Sequence, residues 1–373
     1  MQGRSYIGLI AAAVGTALIA APALGQGGTP AAVTNAETSA DLGSLDLDPR
    51  DLEGERDGWR FTGFYVWHQN DGSIIEPLDD DDRHYSAATK IELTFDPDFD
   101  AETREFLAPA DKWPDAKLAF GVVLAQHIYT SSDIQDRDPP AGDRPYAGYL
   151  YAGAFLQRRS GNVHDHFELD VGVVGSWSLA EDAQRAIHGL PGQYEPQGWG
   201  TQLANELAIN LRVQRSWKSD VAQIGGDGGL ELDAIPRLGF DVGNVFIRAN
   251  TDVTVRLGKH IPDDFGPGRL LDYRDATGSW SEEHGWGAYV YGRVGMRAVG
   301  RNIFLEGNTF ANSRSTSPER LVGEVEIGVR ARFDLFGGDL VAGYGWTMNT
   351  HEYKGQGDRD TLGSVMLGWT KRF

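Results

Sequence analysis

Cysteine is absent from the 373-residue chain, so neither a disulfide framework nor a thiolate metal site is available, and an oxidising compartment would leave no mark. Long apolar runs are also missing beyond the amino terminus. After the stretch Ile7 to Leu24, itself interrupted by Gly, Thr and Pro, no segment is apolar and long enough to suggest a helical membrane protein. Positive charge is scarce: 34 Lys and Arg stand against 54 Asp and Glu, a formal net charge of -20. That balance argues against nucleic acid as a partner, and it repels phosphate-rich lipid unless cations intervene.

What is present begins with a leader. Arg4 precedes the apolar run, which ends in "APALGQG" with the small residues Ala23 and Gly25 at cleavage positions. Residues 1–25 read as a secretory signal peptide. Residues 26–58 are rich in Gly, Ala, Ser, Thr and acids without a sustained apolar period, and read as a disordered or loosely attached lead-in. Residues 59–373 remain for the folded domain.

Within that domain the dominant period is two. In "VFIRANTDVTVRLG", Val245, Ile247, Val253, Val255 and Leu257 alternate with Arg248, Asn250, Asp252, Thr254 and Arg256; "EVEIGVRARF" and "ELAINLRVQR" repeat the arrangement. Such strands fit a soluble sandwich with its apolar face inside, or a membrane barrel with its apolar face in lipid and its charges in the lumen. Three features choose the barrel. The chain ends in "TLGSVMLGWTKRF", with Val365, Leu367, Trp369 and the terminal Phe373 on one face, resembling the carboxy-terminal assembly signal of bacterial outer-membrane barrels. Aromatics (Trp59, Trp67, Tyr146, Tyr149, Trp217, Trp286, Trp346, Trp369) fall near strand ends, as expected of rings at membrane interfaces. Strands are predicted at 60–69, 85–96, 117–129, 146–158, 165–175, 206–218, 231–243, 245–258, 286–300, 319–334, 339–351 and 361–373. Twelve is the even number that bacterial single-chain barrels use. The expected fold is a twelve-stranded antiparallel transmembrane β-barrel.

With both termini periplasmic, parity sends residues 70–84, 130–145 and 176–205 to one outer rim, while 97–116 and 259–285 would be unusually long periplasmic connections. In the third rim loop, "AQRAIHGLPGQYEPQGW" predicts a short extracellular helix over 179–190, with acidic Glu181 and Asp182 at its start. Gln184 and His188, four apart, share one face of it. The first loop opens with Asn70 and Asp71 and carries "DDDDRHYS"; Asn70 in phase with His68, and Ser86 in phase with Lys90 and Glu92, are expected to point inward. Its acids could hold a hard cation through oxygen ligands, or form a solvated loop. Arg144 could grip a phosphate or carboxylate, or pair with Asp143. A lone histidine on a loop helix is more often a surface residue than a base; here parity brings Asn70, Asp71, Ser86, Arg144, Gln184 and His188 to one end of one barrel.

The motifs "QND", "DDRHYS", "DRPYAGYLYAG", "LDVGVVGSWSLAEDAQRAIH", "PQGWGTQLANE" and "RNIFLEGNTF", in this order, resemble the outer-membrane lipid A 3′-O-deacylase family over roughly residues 60–373. The resemblance implies a twelve-stranded barrel that removes the 3′-linked acyloxyacyl chain from lipid A with Ca2+, at an outer-rim site between the barrel and a loop helix. It further implies that His188, Ser86, Asn70 and Asp71 are catalytic, that Asp71 and Asn70 contribute to the metal site, and that Gln184 and Arg144 bind substrate. The sequence departs from the family pattern at Gln69, where an acid is usual, at Ser86, where threonine is commoner, and at Ala88, near a usual glycine. Ester hydrolysis needs a nucleophile, a base and positive charge at the developing oxyanion. His188 would deprotonate water, with Ser86 orienting it; the rival assignment makes Ser86 the nucleophile. The partners expected are lipopolysaccharide and the bacterial outer membrane, with a monomeric barrel facing the outer leaflet. An outer-membrane phospholipase, a non-enzymatic channel or structural barrel, and a soluble lipid-binding barrel are the alternatives.

Overall fold

The computed structural model describes residues 58–71, 83–188, 194–226, 228–270, 273–278 and 284–371. The signal-peptide reading, nearly all of the lead-in, the acids Asp79 to Asp82 and the terminal Phe373 lie outside the described residues.

The strands are β1 (Arg60–Asn70), β2 (Tyr85–Asp96), β3 (Lys117–Tyr129), β4 (Ala147–Ser160), β5 (Val163–Val174), β6 (Glu206–Trp217), β7 (Ala222–Ile224), β8 (Leu230–Gly243), β9 (Phe246–Lys259), β10 (Trp286–Asn302), β11 (Leu321–Leu335), β12 (Gly338–Asn349) and β13 (Thr361–Lys371). Neighbours pair antiparallel. β1 pairs with β13 from Gly63↔Thr370 to Asn70↔Gly363, and β6 skips β7 to pair with β8 from Asn210↔Gly243 to Ser216↔Arg237. Those two seams close a ring of twelve long strands. The three-residue β7 pairs only with the start of β8.

The alternation sets the shape of this ring. Val253 and Val255 on β9, Ile327 and Val329 on β11, and Leu207, Ile209 and Leu211 on β6 are exposed on the outside. The intervening Arg256, Glu326, Arg330 and Arg212 are buried in the lumen. An unpaired buried charge costs several kcal/mol, and the lumen satisfies its charges in pairs: Arg212 reaches Glu168 (2.7 Å) and Asp241 (3.1 Å), and Arg256 reaches Asp233 (2.9 Å). An apolar exterior around a charged interior is the inverse of a soluble sandwich.

The two ends differ. One carries the connections 71–84, 130–146, 175–205, 303–320 and 350–360, with a single tight link at 244–245; we refer to it as the loop end. At the other, Phe336 and Gly337 turn the chain with φ 56 and 70, the left-handed pair a two-residue hairpin requires. The long connection 97–116 carries helix α1 (Ala101–Leu107), capped by the Asp100 carboxylate on Thr103 N (2.8 Å). Helix α2 (Ala180–His188) matches the predicted loop helix, and α3 (Ile303–Glu306) buries Ile303, Phe304 and Leu305, with Phe304 stacked on Tyr129 at 4.1 Å.

The other long connection, 260–285, does not hang from the barrel. Its described residues fold back into the lumen and are held by strands all round the ring. Arg159 donates to Asp263 O (2.6 Å), Arg330 to Gly268 O (2.6 Å), Lys90 to Arg269 O (2.9 Å) and Gln157 to Arg274 O (2.7 Å). His164 meets Tyr273 OH at 3.1 Å and Asp275 at 3.2 Å. Phe265, Leu270 and Tyr273 are buried. The segment is an internal plug.

Two expectations need correction. Trp67, Tyr146 and Tyr149 are not interface rings: all three are buried, Trp67 under the Lys90 ammonium (4.5 Å) and stacked with Tyr65, Tyr146 against Trp199, Tyr149 against Tyr151. Trp217 and Trp286 are exposed near strand ends, as expected. Asn70 and His68 do not share the inward row. Tyr65, Trp67 and Gln69 are the buried positions of β1, and with a period of two the row Phe64, Val66, His68, Asn70 belongs to the outer face.

Candidate functional site

At the loop end, β1 and β2 continue their ladder one step past Asn70↔Ala87: Asp71 N donates to Ser86 O (3.3 Å). The Asp71 carboxylate accepts from Arg83 N (2.6 Å). Ser86 lies on the buried inward row of β2 with Ala88, Lys90 and Glu92, as its phase predicts. Its hydroxyl pairs with the Thr130 hydroxyl of the next loop at 2.6 Å.

His84, two residues earlier, was assigned no role from sequence, yet it organises this end. It is a non-glycine residue at φ 61, a backbone conformation that persists only when its surroundings over-determine it. Its carbonyl accepts from Thr130 N (3.0 Å), its N–H donates to Ser131 O (3.3 Å), and its buried ring meets Asp360 at 2.6 Å. His84 Nε2 and Asp360 Oδ2 are buried without a hydrogen-bond partner among the described residues. Nothing in the sequence signals a pair separated by 276 positions.

Arg144 is 1 % exposed. Its guanidinium pairs with Glu352 (2.5 Å) and lies over the rings of Tyr129 and Tyr353 at 5.6 and 5.8 Å. Asp143 contacts only its backbone N–H, at 2.7 Å, so the side-chain pairing considered from sequence is made with a different acid. Burial pushes the Asp143 carboxyl up, but hydrogen bonds from Ser132, Tyr353 and Arg144 N outweigh it and hold the group below the usual aspartate range. Glu352 behaves likewise: burial raises it, and Arg144 and Arg297 together hold it below the ordinary glutamate value.

Helix α2 packs through Ala180 and Gln184, its buried positions. Gln184 accepts from the indole of Trp199 (2.9 Å), and Gln126 on β3 donates to Ser178 O (2.7 Å) just before the helix. Its outer side carries Arg185, which reaches Glu181 (3.0 Å) one turn back and Glu195 (2.7 Å). His188 occupies the last turn, partly exposed, with Nδ1 2.6 Å from Tyr194 O. A carbonyl can only accept, so this contact fixes the proton on Nδ1 and leaves the lone pair of the neutral ring on Nε2. All six predicted residues therefore lie at the loop end. Direct contacts join Asp71 to Ser86 and Ser86 to Thr130; Gln184 is tied to Trp199 and Arg144 to Glu352.

Asn70 and Asp71 offer an amide oxygen and a carboxylate, a donor set that fits a hard cation in kind. Among the described residues no group of three or more His, Asp or Glu side chains is disposed to hold a metal ion, so backbone carbonyls and water would have to complete a shell around this pair.

A family model described as "Outer membrane protein LpxR" matches residues 33–371. Among solved structures, LpxR from Salmonella typhimurium is similar with a TM-score of 0.66 at 18% identity, over 83% of this chain and 99% of that one. The β domain of the Bordetella autotransporter BrkA aligns at a TM-score of 0.38 and 13% identity, over 85% of this chain and 99% of that one. No curated protein matches the sequence.

Proposed function

The chain belongs to the LpxR family of outer-membrane proteins, and from that premise we propose that it is a calcium-dependent esterase that removes the 3′-linked acyloxyacyl chain from lipid A of lipopolysaccharide. The observation that carries the reading is His188, placed at the end of a loop helix with Nδ1 tied to Tyr194 O, at the same end of the barrel as Asp71, Ser86 and Thr130. A general base needs its accepting nitrogen defined, and this contact defines it.

In this reading His188 takes a proton from water at Nε2, and the water attacks the ester carbonyl. Ser86, its hydroxyl shared with Thr130, orients water or substrate. The Ser86 hydroxyl is bonded to the Thr130 hydroxyl and not to an imidazole, which favours water over Ser86 as nucleophile. Calcium held partly by Asp71 and by Asn70 or nearby carbonyls would polarise the carbonyl and offset repulsion between an acidic protein and lipid phosphates. Gln184 supports the helix through Trp199 in addition to any contact with substrate. For Arg144 to meet a phosphate, Glu352 must give up its hold.

Five of the six connections at the loop end are long, whereas the opposite end has the tight links 161–162 and 336–337 and folds the described residues of its longest connection into the lumen; this supports an orientation with the loop end toward the outer leaflet. Among the described residues the closed ring leaves only the three-residue β7 with an unpaired edge, so no long edge awaits a second copy, which supports a monomer. A phospholipase would share the geometry and is separated by its products. The channel reading is disfavoured by the plug.

The test is mass spectrometry of lipid A from cells lacking endogenous deacylases and expressing the protein, with calcium and with chelator. Loss of the 3′-linked chains only with calcium is expected. Unchanged lipid A with folded, calcium-replete protein would sink the proposal for that substrate.

A further inference from the structure

Above the strand ends, three loops enclose a cleft of about 360 Å³ lined by Asp138, Asp143, Tyr146, Thr201, Arg314 and Ser315, with Pro139, Pro140 and Pro145 in its wall. That volume lies within the range of about 300–1,000 Å³ usual for ligand pockets. The site is built before any ligand arrives. Arg314 crosses from the 303–320 loop to pair with Asp138 and donates to Pro139 O (2.5 Å). Thr316 donates to Gly142 O (2.6 Å), and Tyr146 OH to Ile134 O (3.1 Å). The three prolines fix φ on the opposite wall.

Its chemistry is polar but balanced. Asp138 and Arg314 form an ion pair whose side chains are 82% and 36% exposed, and Asp143 is already bonded by Ser132 and Tyr353. Arg144, which also lines the cleft, is held by Glu352, so a simple anion finds no uncompensated positive charge there. A polyol does find matching groups, because each hydroxyl both donates and accepts: carboxylate and carbonyl oxygens accept, and the guanidinium and hydroxyls donate. The cleft adjoins the candidate site: Arg144, a proposed substrate-binding residue, also lines it, and residues 130–132 tether its wall to Ser86. Thr130 holds Ser86 (2.6 Å), and Ser132 donates to the Asp143 carboxylate through both N (2.9 Å) and Oγ (2.6 Å). An amphiphile cleaved at the loop end, with its chains along the apolar wall, extends its polar portion beyond the strand ends, among the loops that line this cleft.

We infer that the cleft binds a sugar residue of the saccharide attached to lipid A, so that the enzyme distinguishes saccharide-bearing lipopolysaccharide from bare lipid A. The inference rests on the deacylase reading for its choice of substrate.

The experiment compares kcat/KM on core-bearing lipopolysaccharide with kcat/KM on lipid A freed of saccharide by mild acid, and measures binding of the isolated core oligosaccharide by calorimetry in detergent. Wild type is expected to prefer the core-bearing substrate. Arg314→Gln should lower that preference about tenfold, the scale of one charge-assisted hydrogen bond. Ser315→Trp, which fills the cleft without removing the Asp138–Arg314 bridge, should do the same and abolish oligosaccharide binding. An unchanged preference in both variants, or equal wild-type rates on the two substrates, overturns the inference while leaving the deacylase intact. If wild type cleaves neither substrate, the deacylase reading fails, and oligosaccharide binding lost in Ser315→Trp alone decides for or against the cleft.

Discussion

The Arg144–Glu352 pair offers an asymmetric test of how the loop end is held together. The guanidinium is fully buried, bonded to Glu352 at 2.5 Å, with Nε lacking any partner among the described residues. Glu352 has a second cation, Arg297 at 3.2 Å, and its side chain is 15% exposed. Removing the acid therefore strands a buried charge, whereas removing the arginine leaves an acid that still has a partner and some solvent. Breaking a buried pair from the stranded side costs about 3–5 kcal/mol; from the other side the loss approaches one charged hydrogen bond, about 1.5–3 kcal/mol. Glu352→Gln should thus open the loops more than Arg144→Met, and the double variant should recover part of the loss through their coupling. Hydrogen exchange of residues 130–146 and 350–360 in nanodiscs reads this out, with each tenfold loss of protection equal to about 1.4 kcal/mol. Arg144→Met opening the loops as much as Glu352→Gln would refute the reasoning. Unchanged protection in both variants would refute the clasp altogether.

Further outcomes follow from the same structure. Glu352 and Asp143 both titrate below their ordinary values, so their contribution is complete above the unfolded carboxylate range and is lost as pH falls through the folded values. Protection of the two loops should stay level from about pH 8 to 5 and fall below about pH 4; a loss centred near neutrality would contradict this. Purified barrel in planar bilayers should show no porin-like conductance, because the described residues of the 260–285 connection plug the lumen; steady large steps from intact protein would contradict the plug. Ser86→Ala should lower the deacylation rate about tenfold to a hundredfold, the scale of one positioned hydrogen bond. Complete loss, with an acyl-enzyme trapped on wild-type Ser86, would move the nucleophile from water to serine.

The strands were legible because lipid and lumen impose opposite demands on alternate residues. The bounds of β2 and β3 agree with the alternation to the residue, and the loop helix falls within the predicted 179–190. Legibility failed wherever that demand lapses. Near the rim, polar residues occupy both faces, so the row that His68 and Asn70 share carries no sign of which face is inward. The plug has no period: Phe265 and Gly268 are held through their own carbonyls by Arg237 and Arg330, and Tyr273 through its hydroxyl by His164 and Ser216, all on strands distant in sequence. β7 is three residues long and wholly exposed, too short for alternation to register. Trp67, Tyr146 and Tyr149 look like interface aromatics by position, and their burial depends on partners from other strands and loops: Lys90 over Trp67, Trp199 against Tyr146, and His127 and Phe304 against Tyr149. The placement of the six candidate residues at one end is legible from strand parity, but His84 with Asp360 and Arg144 with Glu352 depend on the 350–360 loop crossing to neighbours more than 200 positions away.

The most direct measurement is the single-turnover rate of purified protein on 3′-acylated lipid A in calcium, for wild type and for His188→Ala, with the barrel fold of both checked by heat-modifiable mobility. The account predicts ester cleavage at the 3′ position by wild type and a rate lower by about 10²–10⁴ for the variant, the range of a lost general base. His188→Ala cleaving at the wild-type rate would contradict it.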